Sequence, residues 1–243
     1  MLRIGLAAED RLLAELARTI ADAVLCEAVE WLDTALLPDV RSWTGLRDDE
    51  DYFRLSRAYE TAQSRGLHVH GHFGQVPGEP DARMARATLL LFSDSKLNET
   101  VPVAVVLARD TDGKEERRAG LKQAAESGDW PFRVLIAAAN PESEAWLVAG
   151  FVPKNVEEQK RLQAERKRLG FDPTAAPERL SSSRKSDREA KRVERALTDE
   201  DESRRAECMT LLATSHRGAL CGVTEYVAAA RRELPSVFAS APR

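Results

Sequence analysis

The sequence lacks the cysteine pattern of a disulfide-stabilised protein or of a zinc site. Its three cysteines, Cys26, Cys208 and Cys221, lie far apart and form no CxxC pair. A reducing cytoplasm is therefore the expected compartment. No apolar run approaches the roughly 18 residues that a transmembrane helix needs, and the N-terminus has no secretory-signal pattern. We therefore expect no membrane partner.

The chain also lacks an excess of positive charge. It has 36 basic and 40 acidic side chains among 243 residues, a net charge of −4, which excludes a uniformly basic nucleic-acid coat. Aromatic residues make up only 6%, too few for a groove that stacks single-stranded bases. The charge is uneven, because residues 154–207 carry 15 basic and 13 acidic side chains. The net charge thus leaves open a protein that holds phosphate through bridging cations and a local basic helix.

Apolar runs alternate with helical periodicity over the first 150 residues, as in an α/β fold. The patterns predict strands over 2–8, 101–108 and 133–139, helices over 11–25, 52–64, 82–92 and 114–127, and a loop over 38–51. The run over 101–108 is apolar on both faces, as a central parallel strand must be. Asp81 suits a helix N-cap, and Pro141 suits the first turn of the following helix. We predict a mostly parallel sheet flanked by helices over 1–152, and a charged helical region over 153–243 that packs on it.

Acidic side chains follow each of the three predicted strands. Glu9 follows the first, Asp110 and Asp112 the second, and Glu142 and Glu144 the third. The carboxyl ends of parallel strands share one edge of a sheet, so these carboxylates should gather there. Like charges repel unless a cation offsets them, and Mg²⁺ prefers carboxylates together with water and substrate phosphates. The pattern predicts a divalent-cation site.

Plainer interpretations of the same residues stay open. A DxDG sequence such as that over 110–113 is also ordinary turn chemistry. Glu9 and Glu142 also suit the N-terminal ends of helices, where the helix dipole favours an acid.

A second candidate feature is a basic stripe over 179–195, where seven basic side chains face three acidic ones. We predict a helix over 187–197 and a grip on the nucleic-acid backbone by five residues of the stripe: Arg184, Lys185, Arg188, Lys191 and Arg192. The alternative is a solvated helix held by charge pairs four residues apart, because Glu189 and Glu194 are interleaved.

The histidines are less informative. His68, His70 and His72 alternate and would share one face of a strand, but zinc normally needs further ligands with a defined spacing. They are better interpreted as polar edge-strand residues or as a rim that meets substrate. Ser215 and His216 have no elbow motif and no orienting acid, so they predict no nucleophilic site.

The quoted residues resemble a known family. A glutamate after the first strand and a DxD after a later one are similar to the Toprim domain of topoisomerases, bacterial primases and OLD-type nucleases. The segment PESEAWLVA over 141–149 resembles the PExEAWLLAD segment of small stand-alone Toprim-related proteins, and stretches over 169–193 are similar to their later part. One departure is Asp10, which stands where the usual Toprim glutamate is followed by glycine.

The resemblance implies metal-assisted phosphodiester chemistry. It makes Glu9 the general acid/base and Asp110 and Asp112 ligands of Mg²⁺ or Mn²⁺. We add Glu142 as a ligand and Glu144 as a catalytic residue that binds a second metal or orients a water. The expected function is a nuclease or related phosphoryl-transfer enzyme, acting in defence against foreign DNA. The alternative is a non-catalytic protein with a degenerate Toprim site, which binds a partner such as an ATPase.

Overall fold

The computed structural model describes residues 1–94, 100–214 and 217–239. In chain order the strands are β1 Leu2–Ala8, β2 Arg41–Thr44, β3 Phe53–Arg54, β4 His72–Phe73, β5 Val76–Pro77, β6 Ala104–Asp110 and β7 Arg133–Ala139. The helices are α1 Arg11–Ala28, α2 Leu37–Val40, α3 Ala58–Ser64, α4 Ala82–Ser93, α5 Glu115–Glu126, α6 Ser143–Gly150, α7 Val156–Leu169, α8 Ala190–Thr198, α9 Glu202–Leu212 and α10 Val223–Ala239. Within these ranges no helix is both long and apolar enough to cross a bilayer.

A parallel sheet forms the centre of the molecule. Its strands lie in the order β2-β1-β6-β7, and the short β3 extends the pairing of β1 beyond β2. In register, Ala8 faces Ala108 and Asp110 faces Ala139, so β1, β6 and β7 end at the same edge. The strands β4 and β5 form a separate antiparallel hairpin. The predicted α/β class, with a mostly parallel sheet flanked by helices, is confirmed and is consistent with a Toprim-like fold.

Both faces of the sheet are buried, because side chains alternate along each strand. Along β6, Val106 packs into the cluster covered by α1, α6, α9 and α10, whereas Val105 and Leu107 pack into the cluster covered by α3, α4 and α5. This two-sided burial is what the doubly apolar run over 101–108 predicted. The alternation continues to the end of β6 and decides which face each of its last residues meets.

The C-terminal helices share the first cluster with the sheet. The Tyr226 hydroxyl donates to the Ala17 carbonyl (2.8 Å), and Trp146 Nε1 donates to the Cys221 carbonyl (2.7 Å). The rings of Trp146 and Tyr226 stack with centroids 5.9 Å apart. The expected packing of the helical region is thus present, while the boundary after residue 152 stays a prediction.

Several predicted elements were wrong in extent. The loop over 38–51 contains β2, and the helix over 52–64 begins only at Ala58, after β3 and a 3-10 turn. The basic helix predicted from 187 begins at Ala190. Strands of two to four residues are too short to show a period, so their pairing with β1 is not visible in the sequence.

One local prediction is confirmed in position only, and another is wrong. Asp81 occupies the N-cap position of α4, but its φ of 66° is left-handed and its side chain makes no capping hydrogen bond. The Asp81 carboxylate instead accepts from Arg109 Nε at 2.9 Å. Pro141 lies before α6 rather than in its first turn, because Glu142 is the N-cap.

Candidate functional site

The shared edge of β1, β6 and β7 brings the predicted acidic residues together. The Glu9 N–H donates to the Ala108 carbonyl (3.0 Å), and the Asp110 N–H donates to Glu9 Oε2 (3.2 Å). Glu142 and Glu144 lie at the N-cap and in the first turn of α6, which follows β7. We call Glu9, Asp10, Asp110, Glu142 and Glu144 the acidic cluster.

Asp110 is the residue of this cluster that the protein surrounds most closely. Its Oδ1 atom is buried and has no hydrogen-bond partner among the described residues. Burial raises the pKa of Asp110 well above its usual range, and the charges of Glu9, Asp10, Glu144 and Glu142 raise it further. A buried carboxylate oxygen without a donor is costly, so this position suits a group that supplies positive charge.

Glu142 and Glu144 show the same imbalance. The Oε1 atom of Glu142 is buried without a partner, and burial, followed by the charge of Glu144, raises the pKa of Glu142 to about 7. Burial also raises the pKa of Glu144, whose Oε2 accepts from the Ser143 hydroxyl at 3.3 Å. The N-terminal end of α6 offsets only part of this charge through its dipole.

Lys191 is a cation that contacts the acidic cluster from α8. Its Nζ lies 3.5 Å from Glu144 Oε1, and the Glu144 carboxylate raises the pKa of Lys191. A hydrogen bond from the Lys191 backbone also lowers the pKa of Glu142. Lys191 was predicted to contact nucleic acid directly. The sequence did not indicate its contact with Glu144, because α8 and α6 are about 45 residues apart.

Asp112 does not gather with Asp110 at the sheet edge, although the sequence predicted this. Its φ is 52° and that of Gly113 is 74°, so the chain turns directly after β6. The Asp112 carboxylate accepts from Arg117 Nη1 at 2.5 Å. Arg117 belongs to α5, on the face opposite α6, so the two aspartates of the DxD have different partners.

Arg109 contacts both Glu9 of the acidic cluster and Asp81, which precedes α4. Its Nη1 lies 2.7 Å from Glu9 Oε2, and its Nε lies 2.9 Å from Asp81 Oδ2. Arg109 and Asp110 are adjacent in β6 and therefore point to opposite faces. Sequence reasoning missed Arg109, although its place immediately before the DxD at the end of a strand was a usable signal.

The described residues contain no group of three or more His, Cys, Asp or Glu side chains already arranged to hold a metal ion. The fit of a cation therefore rests on two unpartnered oxygens, Asp110 Oδ1 and Glu142 Oε1. Mg²⁺ is commonly held by one or two carboxylates and several waters, so two such oxygens match its needs.

The other members of the basic stripe are placed differently from Lys191. Arg188 lies over the Phe171 ring at 5.5 Å, and Arg192 Nη1 lies 3.7 Å from Asp187 Oδ1. Arg184 and Lys185 are exposed, in a segment without helix, and form no ion pair with any described carboxylate. The stripe is thus divided between the acidic cluster, local pairs and free cations.

The remaining candidates contribute nothing to this edge. His68, His70 and His72 are exposed, and the rings of His68 and His70 have centroids 4.8 Å apart. Ser215 and His216 lie outside the described residues. All three cysteines are free thiols, two of them buried.

Comparison of the chain with protein-family models, with curated proteins and with solved structures found no match.

Proposed function

We propose that the protein is a Mg²⁺- or Mn²⁺-dependent nuclease, or a related phosphoryl-transfer enzyme acting on nucleic acid. The observation that carries the proposal is the acidic cluster, in which Asp110 and Glu142 each keep a buried oxygen without a partner. Two cations, Lys191 and Arg109, lie against the five carboxylates of the cluster, and a divalent cation would offset the remaining charge.

Asp110 and Glu142 are the residues that would hold the cation, with Glu144 beside them. When bound, the metal supplies charge that stabilises the phosphoryl oxygens in the transition state. Asp112 is a ligand only if it leaves Arg117, so we assign it to the edge of the site.

Glu9 is the group proposed to accept or return a proton. Its Oε2 accepts a hydrogen bond from the Asp110 backbone and forms an ion pair with Arg109, and both contacts hold the carboxylate beside Asp110. Lys191, 3.5 Å from Glu144, carries the positive charge that can meet a substrate phosphate.

The resemblance to Toprim-related proteins supplies the wider setting of this proposal: defence against foreign DNA, in the cytoplasm. The free thiols of Cys26, Cys208 and Cys221 agree with a reducing compartment.

One observation favours the alternative, a partner-binding protein with a degenerate site that associates with an ATPase. Glu9 and Asp112 are both neutralised by arginines, Arg109 and Arg117, instead of standing free for chemistry. In that case the charged C-terminal surface binds a protein.

Cleavage assays separate the two functions. Plasmid DNA and a structured RNA are incubated with the full chain plus Mg²⁺, Mn²⁺ or EDTA. We expect cleavage that EDTA abolishes and that Asp110→Asn lowers at least about a hundredfold, since the variant removes the central negative charge.

The matched control is Asp129→Asn, which neutralises an exposed aspartate away from the edge. It should cleave like the wild type. Absence of EDTA-sensitive cleavage on every substrate would leave the partner-binding alternative. Full activity of Asp110→Asn would contradict the assignment of Asp110 to the catalytic site.

A further inference from the structure

Two neighbouring segments of the chain carry no acidic side chains. The segment 61–78 and helix α4, Ala82–Ser93, contain no Asp or Glu, although 40 of the 243 residues are acidic. Helix α4 carries two arginines, Arg83 and Arg86, and the segment 61–78 carries Arg65 and three of the four histidines of the chain. We call Arg83, Arg86, His68, His70 and His72 the arginine–histidine surface.

Aromatic rings, not carboxylates, hold the two arginines. The Arg83 guanidinium lies 4.5 Å from the centroid of the Tyr59 ring, and its Nη2 donates to the Tyr59 hydroxyl at 2.6 Å. The Arg86 guanidinium lies 3.6 Å from the centroid of the Phe73 ring. Stacking fixes a planar guanidinium and leaves its charge unneutralised.

Neither arginine forms an ion pair with a carboxylate anywhere in the described ranges 1–94, 100–214 and 217–239. The contrast with the sheet edge is sharp, because Arg109 and Arg117 are each held by acids. Burial lowers the pKa of Arg86 from its ordinary value. Such cations are left for an anionic partner.

The histidines extend the surface along one side. They alternate with Val69 and Phe73, which are buried, so the three imidazoles face solvent together. Arg86 Nη1 joins them to α4 by donating to the carbonyls of His70 (3.0 Å) and His72 (2.6 Å). The exposed imidazoles and the two arginines of α4 therefore lie next to one another.

This surface begins beside the acidic cluster. Asp81, which precedes α4, binds Arg109, and Arg109 binds Glu9 of the cluster. Arg83 lies in the first turn of α4, two residues from Asp81. A nucleic-acid strand bound to α4 would therefore extend toward the sheet edge that carries the acidic cluster.

We propose that the arginine–histidine surface binds the phosphodiester backbone of the nucleic acid presented to the acidic cluster. The inference rests on the proposed function and names the surface that holds its substrate. Guanidinium groups recognise phosphate through paired donors, and imidazole rings pack on bases as well as on phosphates. The occupant is nucleic acid, not an acidic protein, because stacked arginines and exposed rings suit alternating phosphates and bases.

The basic stripe over 179–195 is the rival surface. Within it, Lys191 and Arg192 already contact Glu144 and Asp187. Arg184 and Lys185 form no ion pair with a described carboxylate and provide the matched comparison.

Binding of a fluorescein-labelled oligothymidylate and of a duplex of the same length is measured by anisotropy, using the full chain in EDTA at several salt concentrations. EDTA separates binding from cleavage. We expect Arg83→Gln to weaken binding by about threefold or more and to reduce the salt slope by about 1, as loss of a phosphate contact does. Replacing His68, His70 and His72 together by Gln should weaken binding further. The oligonucleotide that binds more tightly shows whether the surface prefers single-stranded or double-stranded nucleic acid.

Three comparisons make the test decisive. Arg83→Lys keeps the charge and should retain the wild-type salt slope, and Arg184→Gln with Lys185→Gln should bind like the wild type. The inference is overturned if the wild type binds neither oligonucleotide, if Arg83→Gln binds normally, or if Arg83→Lys loses as much as Arg83→Gln. Equal displacement by polyglutamate would identify an acidic protein as the partner and would also overturn it. Binding by this surface without any Mg²⁺-dependent cleavage contradicts only the proposed function.

Discussion

At the scale of single residues, Asp110 combines burial with a carboxylate oxygen that no donor contacts. Burial is the largest cause of its raised pKa. The negative charges of the neighbouring acids raise the pKa further; these are Glu9, Asp10, Glu144 and Glu142. Functional sites commonly retain such unfavourable groups at a cost to stability. The cost itself is measurable.

Asp110→Asn should therefore stabilise the protein while it removes activity. The amide carries no charge and offers N–H donors to the neighbouring carboxylates, so we expect the free energy of unfolding in EDTA to rise by about 1 kcal/mol or more. Urea unfolding of both proteins at neutral pH measures it. A variant less stable than the wild type would show that Asp110 has a structural role.

The site was only partly predictable at this scale. The positions of Glu9, Asp110, Glu142 and Glu144 at one edge follow from strand order alone, and the structure has them there. The turn at Asp112 and the salt bridge from Arg117 were not predictable, because they depend on a left-handed φ and on where α5 lies. The contact of Lys191 with Glu144 depends on tertiary packing of distant helices.

At the scale of elements, close helix packing depends on particular glycines. A Cβ atom at Gly150, at the end of α6, would lie 2.3 Å from the Cys208 carbonyl oxygen in α9. The backbone of α9 cannot move away without disturbing the first core cluster, to which Cys208 belongs.

Gly150→Ala should consequently lower the free energy of unfolding by about 1–3 kcal/mol through overpacking. Gly128→Ala is the matched control, because its Cβ would meet only the Trp130 ring at 3.5 Å, an ordinary contact. Denaturant unfolding distinguishes the two. Equal stabilities of both variants would contradict the close approach of α6 and α9.

Long elements were predictable from sequence and short ones were not. The strands β1 and β7 and the helices α1, α4 and α5 lie within a few residues of their predicted bounds, since each has a full apolar period. The strands β2 and β3 have two to four residues, so their formation depends on pairing with β1. Asp81 shows the same limit, because the ion pair with Arg109 replaces the cap that its residue type favours.

At the scale of the whole molecule, a buried ion pair ties the C-terminal region together. Glu158 in α7 accepts from Arg204 Nε and Nη2 in α9, both at 3.0 Å, and from the Lys154 N–H at 2.8 Å. Burial alone would raise the pKa of Glu158, but these hydrogen bonds outweigh it and the pKa is lowered. The stabilisation is therefore complete above the ordinary value of 4.5 and is lost as the pH falls through the folded value.

Glu158→Gln should lower the free energy of unfolding by up to about 3 kcal/mol at neutral pH, because buried Arg204 then keeps only the half-exposed Glu207 as a counter-charge. The difference in the free energy of unfolding between the variant and the wild type should become smaller as the pH falls below 4.5. Glu157→Gln is the control, since that exposed neighbour pairs with Lys160 and with no other described residue, and it should change stability little. Thermal unfolding of both proteins between pH 3 and 8 measures this difference. A stability difference that stays constant with pH would contradict the assignment of the ion pair.

The net charge of −4 is an average over distinct surfaces. Acidic side chains lie at the edge of the sheet. Arginines that stack on aromatic rings, together with three histidines, lie on the arginine–histidine surface. This separation suits a protein that holds a cation at one place and a polyanion at the next.

Binding of Mn²⁺, followed by electron paramagnetic resonance and by competition with Mg²⁺, tests the cation site most directly. We predict that the wild type binds Mn²⁺, that Mg²⁺ displaces it, and that Asp110→Asn and Glu142→Gln each weaken binding at least about tenfold. Asp129→Asn should bind like the wild type. A wild type that binds no Mn²⁺, with or without nucleic acid, or an Asp110→Asn variant that binds it normally, would contradict the assignment of the acidic cluster as a metal site.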